Sequence, residues 1–122
     1  MFKMNEKIIK IWEGEFAVVK SKKFYESAFA NIKDKKELTV IIKENQINKE
    51  DIIKIEKGWK IITFNKILDF SLTGFISKIS SALAEANISI FVVSSYSTDH
   101  ILVKEKNLDN VLKILKNLEL KI

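Results

Sequence analysis

This sequence predicts an α+β fold, an antiparallel sheet with helices on one face, and three observations carry the prediction. The second half alternates strand-like segments with two apolar helical stripes in the order β-α-β-β-α-β. The first half is a series of β-branched runs separated by polar turns. The chain has no proline and only Gly14, Gly58 and Gly74 as glycines, so no flexible linker divides it and a second domain must be joined tightly. At 122 residues, 47% hydrophobic and 30% charged, it has the size of one globular unit or of two very small ones sharing a core.

Taken in order, "EFAVVKS" (15–21) and "KELTVIIKEN" (36–45) read as strands, and "IKDKKE" (32–37) is a polar turn able to close a hairpin. "KKFYESAFAN" (22–31) fits two templates. Tyr25, Ala28, Phe29 and Ile32 would share one face of a short helix, while "AFANI" would equally serve as the first arm of that hairpin. "QINKED" can start a helical turn at Asn48; Ile53 and Ile55 then alternate with Lys54 and Glu56, and Gly58 leads into the strand "WKIITF" (59–64).

Beyond the polar loop "DFSLTG" (69–74), Ile76, Ile79, Leu83 and Ala86 recur at helical spacing, with helix-favouring Ala82, Ala84 and Glu85 among them. Asn87 tolerates the left-handed conformation that ends helices and is expected to stop this one. "ISIFVVS" (88–94) is a strand, "SYST" a turn and "DHILVKE" (99–105) the returning strand. Asn107 is expected to cap a second helix with Leu108, Val111, Leu112 and Leu115 as its stripe, and "LELKI" (118–122) alternates as a last strand. From Trp59 this order is the ferredoxin-like βαββαβ unit. The first half carries a degenerate copy of the same order.

Composition excludes several classes of function. No cysteine is present, so disulfides, thiol nucleophiles and thiolate metal sites are out, and a single histidine leaves only carboxylates for a metal. No metal and no cofactor are expected. The net charge of +5 comes from lysines alone, spread along the chain with no arginine. The guanidinium forks that read phosphates and bases are therefore missing, and a nucleic-acid partner is not expected. No segment approaches the ~18 apolar residues of a membrane span, and the first residues lack a signal peptide's apolar core, so a soluble, cytoplasmic protein is expected.

Two places carry candidate chemistry. In "DFSLTG", Ser71 or Thr73 can cap the following helix, while Gly74 at a helix start can expose backbone N–H groups to a carboxylate or phosphate. Asp99 at a strand start can accept hydrogen bonds of the turn or hold an amino group. Asp99 and His100 point to opposite faces of a strand and so do not form a catalytic dyad, and His100 reads as a partly exposed strand residue. No serine sits on a nucleophile elbow. No catalytic residue is assigned, and the protein is expected not to be an enzyme. An anion site and a cation site together are what a zwitterionic amino acid requires.

The run from Gly58-Trp59 through "DFSLTG" (69–74), "LAEA" (83–86) and "SSYSTD" (94–99) to "ILVKE" (101–105) resembles the ACT-domain group of small bacterial tandem-ACT proteins labelled aspartate-kinase-like. It is also similar to half of the cytosolic arginine sensors. Ser95 stands where that pattern usually has threonine, and His100 where it often has an aromatic residue. The resemblance implies two tandem ferredoxin-like ACT units, a degenerate one over 1–57 and a second over 58–122. It further implies a free amino acid as ligand, held by Leu72, Thr73, Gly74, Phe75, Ser77, Asp99 and His100. A sheet face bearing Phe91, Val93 or Leu102 needs a cover, from the first unit or from a second subunit, and because the chain holds one good copy of the unit a homodimer is expected. The alternatives are a ligand-free interaction module and the detached regulatory subunit of an amino-acid biosynthetic enzyme.

Overall fold

The computed structural model describes residues 2–3, 9–65 and 74–120. In chain order the elements are β1 (Phe2–Lys3), β2 (Ile9–Ile11), β3 (Phe16–Ser21), β4 (Ala30–Lys33), β5 (Leu38–Lys43), β6 (Ile52–Phe64), α1 (Phe75–Glu85), β7 (Ile90–Ser94), β8 (Asp99–Lys104), α2 (Leu108–Lys116) and β9 (Glu119–Leu120). Short 3-10 turns at Glu44–Gln46, Lys49–Asp51 and Glu105–Asn107 join them. The contacts divide the chain into two units, one made of Met1–Trp12 with Lys60–Ile122, the other of Glu13–Trp59. The return of the first twelve residues to the later unit follows from strand pairing far along the chain.

In the unit of residues 13–59, β3 pairs antiparallel with β5 and with the first part of β6, and β5 pairs with β4. Ala17, Val19, Tyr25, Val40 and Ile42 form its buried core. Of the segment 22–31 that fitted both helix and strand, only Ala30 and Asn31 enter the strand arm β4 and the rest forms turns, and polar groups hold it so. Asn31 brackets Tyr25, accepting its N–H at 3.0 Å and donating Nδ2–H to its carbonyl at 2.8 Å. At the turn, Asp34 Oδ1 accepts the N–H groups of Lys36 and Glu37 at 2.8 and 3.0 Å. The Tyr25 hydroxyl donates to Asp51 Oδ2 and accepts the Asn48 N–H at 3.1 Å. Burial, with the Asp51 carboxylate beside it, pushes the Tyr25 phenol above its ordinary range.

A β-bulge interrupts β6. Phe16 faces Trp59 and Val18 faces Glu56, so Lys57 and Gly58 together stand against Ala17. Gly58 meets this with a left-handed φ of 82°, and its displaced N–H donates to Glu44 Oε2 at 2.6 Å.

In the other unit, the second part of β6 lies between β2 and β8, β8 pairs with β7, and β1 pairs with β9. α1 buries Phe75, Ile79 and Leu83 and α2 buries Val111 and Leu115; these pack with Ile62, Phe64, Ile101 and Val103 from one face of the sheet. α1 ends as expected at Asn87, whose φ is 58°. The Ile88 N–H bonds back to the Leu83 carbonyl at 3.0 Å and the Asn87 N–H to Ala84 at 2.9 Å, a Schellman closure in which Ile88 and Leu83 share the core. Asn107 occupies the start of α2 without a side-chain capping bond, because the 3-10 turn before it already gives that residue helical dihedrals. On the opposite face of the sheet, Ile61 and Leu102 are fully buried within the single chain, and Phe91 and Val93 are half-buried. Leu102 therefore needs no second molecule to cover it.

Candidate functional site

Gly74, the residue before α1, adopts a left-handed φ of 83°, and a Cβ there would meet nothing within 4 Å. The backbone conformation, not crowding, favours glycine at this position. Gly74 itself holds the N-cap position; Ser71, Leu72 and Thr73, expected as caps or ligand contacts, lie outside the described residues. The first bond of the helix runs from Lys78 N–H to the Gly74 carbonyl at 2.8 Å, which leaves the N–H groups of Phe75, Ile76 and Ser77 without an acceptor inside the helix. Those groups, at the positive end of the helix dipole, suit a carboxylate. Phe75 is buried, its ring edge-on to Phe64 at 5.3 Å, while Ser77 faces solvent.

The β7–β8 hairpin positions Asp99. Ser94 pairs with Asp99, and its hydroxyl donates to Asp99 Oδ1 at 2.7 Å; the turn closes through Ser95 N–H to the Thr98 carbonyl at 2.8 Å. Asp99 shares the strand alternation of Ile101 and Val103, which face the helices.

Both places lie at the same end of the unit. Phe64, the last residue of β6, packs on Phe75 at the start of α1, and its neighbour Thr63 bonds to His100 at the start of β8. Sequence spacing alone did not decide this convergence; the antiparallel course of β6, α1 and the hairpin brings it about.

His100 departs from its expected environment. It is buried at 8% exposure instead of partly exposed, and it takes the alternation opposite to Asp99, on the side of Leu102. Its Nδ1 lies 2.7 Å from Thr63 Oγ1 and its Nε2 3.4 Å from Ser95 Oγ. Thr63 in turn accepts the indole N–H of Trp12 at 2.7 Å. Burial lowers the His100 pKa from its ordinary 6.5, with the Asp99 charge acting against that shift. Thr63 carried no signal in the sequence because it reads as an ordinary strand residue, and Trp12 lay outside every element read from the sequence.

Among the described residues there is no cluster of three or more His, Cys, Asp or Glu placed to hold a metal, and no helix long and apolar enough to cross a membrane.

Three solved structures have similar folds. A protein from Agrobacterium tumefaciens matches with a TM-score of 0.78 at 25% identity, over 89% of this chain and 86% of that one. A protein of unknown function from Vibrio cholerae matches with a TM-score of 0.70 at 19% identity, over 88% of this chain and 86% of that one. The ligand-free regulatory subunit of aspartate kinase from Thermus thermophilus matches with a TM-score of 0.63 at 8% identity, over 93% of this chain and 98% of that one. The sequence pattern of the ACT domain matches residues 54–117, from near the start of β6 through α2. Since that span is more than half of the chain and takes in both helices and the Asp99 hairpin, the chain belongs to the ACT domain family.

Proposed function

We propose that this protein is a non-catalytic regulatory protein that binds a free amino acid, built from an ACT unit and a reduced second copy of it over the first half of the chain. The convergence of the α1 N-terminus and Asp99 at one end of the unit carries the reading. The ligand carboxylate takes the N–H groups of the first turn after Gly74, its ammonium takes Asp99, and the side chain lies against residues flanking the helix start. Direct contact is assigned to Leu72, Thr73, Gly74, Phe75, Ser77 and Asp99. The near full-length likeness to an aspartate kinase regulatory subunit favours a second reading, in which the same site works on a separate biosynthetic enzyme.

A melting screen with the twenty amino acids, one at a time, tests the first reading. A ligand at ~100 times its dissociation constant adds roughly 2.7 kcal/mol by mass action. No shift with any of them at millimolar concentration would leave a ligand-free interaction module. The homodimer stands as part of the proposal, with two equivalent sites about a two-fold axis. Sedimentation equilibrium that finds a monomer, with and without the amino acid that shifts the melt, refutes it.

A further inference from the structure

The turn between β7 and β8 is closed by its own groups. Ser95 bonds to the Thr98 carbonyl through its N–H at 2.8 Å and through its hydroxyl at 3.2 Å. Below the turn the strands pair residue by residue, from Ile90 with Val103 up to Ser94 with Asp99. That last rung carries a side-chain bond as well, in which Ser94 Oγ donates to Asp99 Oδ1 at 2.7 Å. Since the ladder and Ser95 already hold the backbone, the Ser94 hydroxyl acts on the carboxylate and not on the turn.

Both side chains belong to the helix side of the sheet. Asp99 shares the alternation of Ile101 and Val103, Ser94 shares that of Ile90, and these three apolar residues pack in the core with α1 and α2. Directly opposed residues of an antiparallel pair hold their Cβ atoms ~4.5–5.5 Å apart. Two short side chains bridge that gap, and 2.7 Å reaches the range of charge-assisted O–H···O bonds, roughly 2.5–2.7 Å. A carboxylate offers about four lone-pair sites. The Ser94 bond therefore constrains the Asp99 carboxylate, which has further contacts in the fold, without filling its capacity to accept an ammonium.

We propose that Ser94 is a positioning residue of the amino-acid site: its hydroxyl holds the Asp99 carboxylate in the orientation that receives the ligand ammonium. The ammonium rests on the amino-acid-binding reading, and the orientation rests on the hairpin geometry alone. A carboxylate that turns freely has to be ordered when an ammonium binds. The Ser94 bond orders it beforehand, which lowers that entropic cost. Ser94 is exposed, so water competes for the bond and the gain is modest. Loss of the hydroxyl is expected to weaken amino-acid binding about fivefold, on the scale of ordering one side chain.

Ser94→Thr keeps the hydroxyl, and Ser94→Val puts a methyl group in its place; both introduce β-branched side chains suited to a strand. In the whole protein without added amino acid, three-bond couplings from the Asp99 Cγ to its backbone nitrogen and carbonyl carbon report the side-chain rotamer. They are expected to show one dominant rotamer in the wild type and the threonine variant and an average in the valine variant. Exchange protection of the Ser95 amide is expected to be equal in all three. Wild-type couplings in the valine variant overturn the proposal and assign the orientation of Asp99 to its other contacts. Loss of Ser95 protection in that variant overturns it too, by making Ser94 a part of the turn. Should the valine variant not fold, Ser94→Ala makes the same comparison.

The twenty amino acids, screened singly by melting, supply the probe for binding, and the one with the largest shift is titrated by calorimetry. The valine variant is expected to bind it about fivefold more weakly than the wild type, and the threonine variant to bind it as the wild type does. Equal affinity of the valine variant and the wild type overturns the role of Ser94 while leaving the amino-acid reading in place. No shift of the wild type with any of the twenty refutes the amino-acid reading, and the couplings alone then decide whether Ser94 orients Asp99.

Discussion

Glu44→Ala is expected to lower the stability of the fold by about 1.5 kcal/mol, through the bulge in β6. The bulge lifts the Gly58 N–H out of the ladder, and the Glu44 carboxylate accepts it at 2.6 Å. A hydrogen bond to a charged group contributes roughly 1.5–3 kcal/mol, and the half-buried position of Glu44 lets water compete, which sets the lower end of that range. Glu44→Gln keeps an acceptor without the charge, and charge-assisted bonds are roughly twice as strong as neutral ones, so about half of the effect is expected. In urea, with a slope of ~1.5 kcal/mol/M, the midpoints fall by about 1 M for alanine and about 0.5 M for glutamine. Gly58→Ala serves as a separate probe. Nothing lies within 4 Å of its added Cβ, so its cost is only the roughly 1–2 kcal/mol of a left-handed backbone. A glutamine variant as unstable as the alanine variant, or an alanine variant within ~0.2 M of wild type, would refute the charge-assisted clamp.

Other outcomes are expected. Gly74→Val leaves the protein folded, but its β-branched side chain is strained at a left-handed φ of 83° and shifts the helix start, which abolishes the amino-acid melting shift. Asp99→Asn keeps an oxygen acceptor for Ser94 and weakens amino-acid binding by about 1.5–3 kcal/mol in calorimetric titration. Leu83→Ala, at a side chain with no exposure in the helix core, costs roughly 2–5 kcal/mol by urea unfolding. Stability also depends on pH through His100. Its folded pKa lies below 6.5, so the unfolded chain binds the proton more readily. The contribution of the neutral ring is complete above 6.5 and is lost as pH falls through the folded value. A His100→Gln variant is expected to lose that part of the pH dependence.

The second half of the chain was legible because its signals are local. The α1 stripe, the left-handed Asn87 and the β7–β8 alternation each act within a few residues, and each stands where the pattern put it. Local signals also failed in defined ways. The apolar spacing of Tyr25, Ala28, Phe29 and Ile32 satisfied two periods, and the pairing of β4 with β5, the bracket of Asn31 on Tyr25 and the Phe29 N–H bond to the Ile41 carbonyl favour the hairpin. β2 gave no strand signal: its short "IKI" run is stabilised by pairing with residues 62–64. At the candidate site, Gly74 and Asp99 were readable from their own chemistry. Ser94, Thr63 and Trp12 were not, because their roles depend on partners reached through the fold.

The pairing of β2 with the end of β6 has a consequence for synthesis. Trp12 and Thr63 are 51 residues apart, so at ~5–20 residues per second the ribosome delivers the second partner several seconds after the first. Hairpins form in roughly 1–10 μs, so β4 and β5 have ample time to close while β2 still lacks its neighbour. A nascent chain halted before residue 60 is therefore expected to protect its 13–59 amides from exchange while leaving Trp12 bathed in water, and a pause in translation there would prolong the interval in which β2 is open to wrong partners.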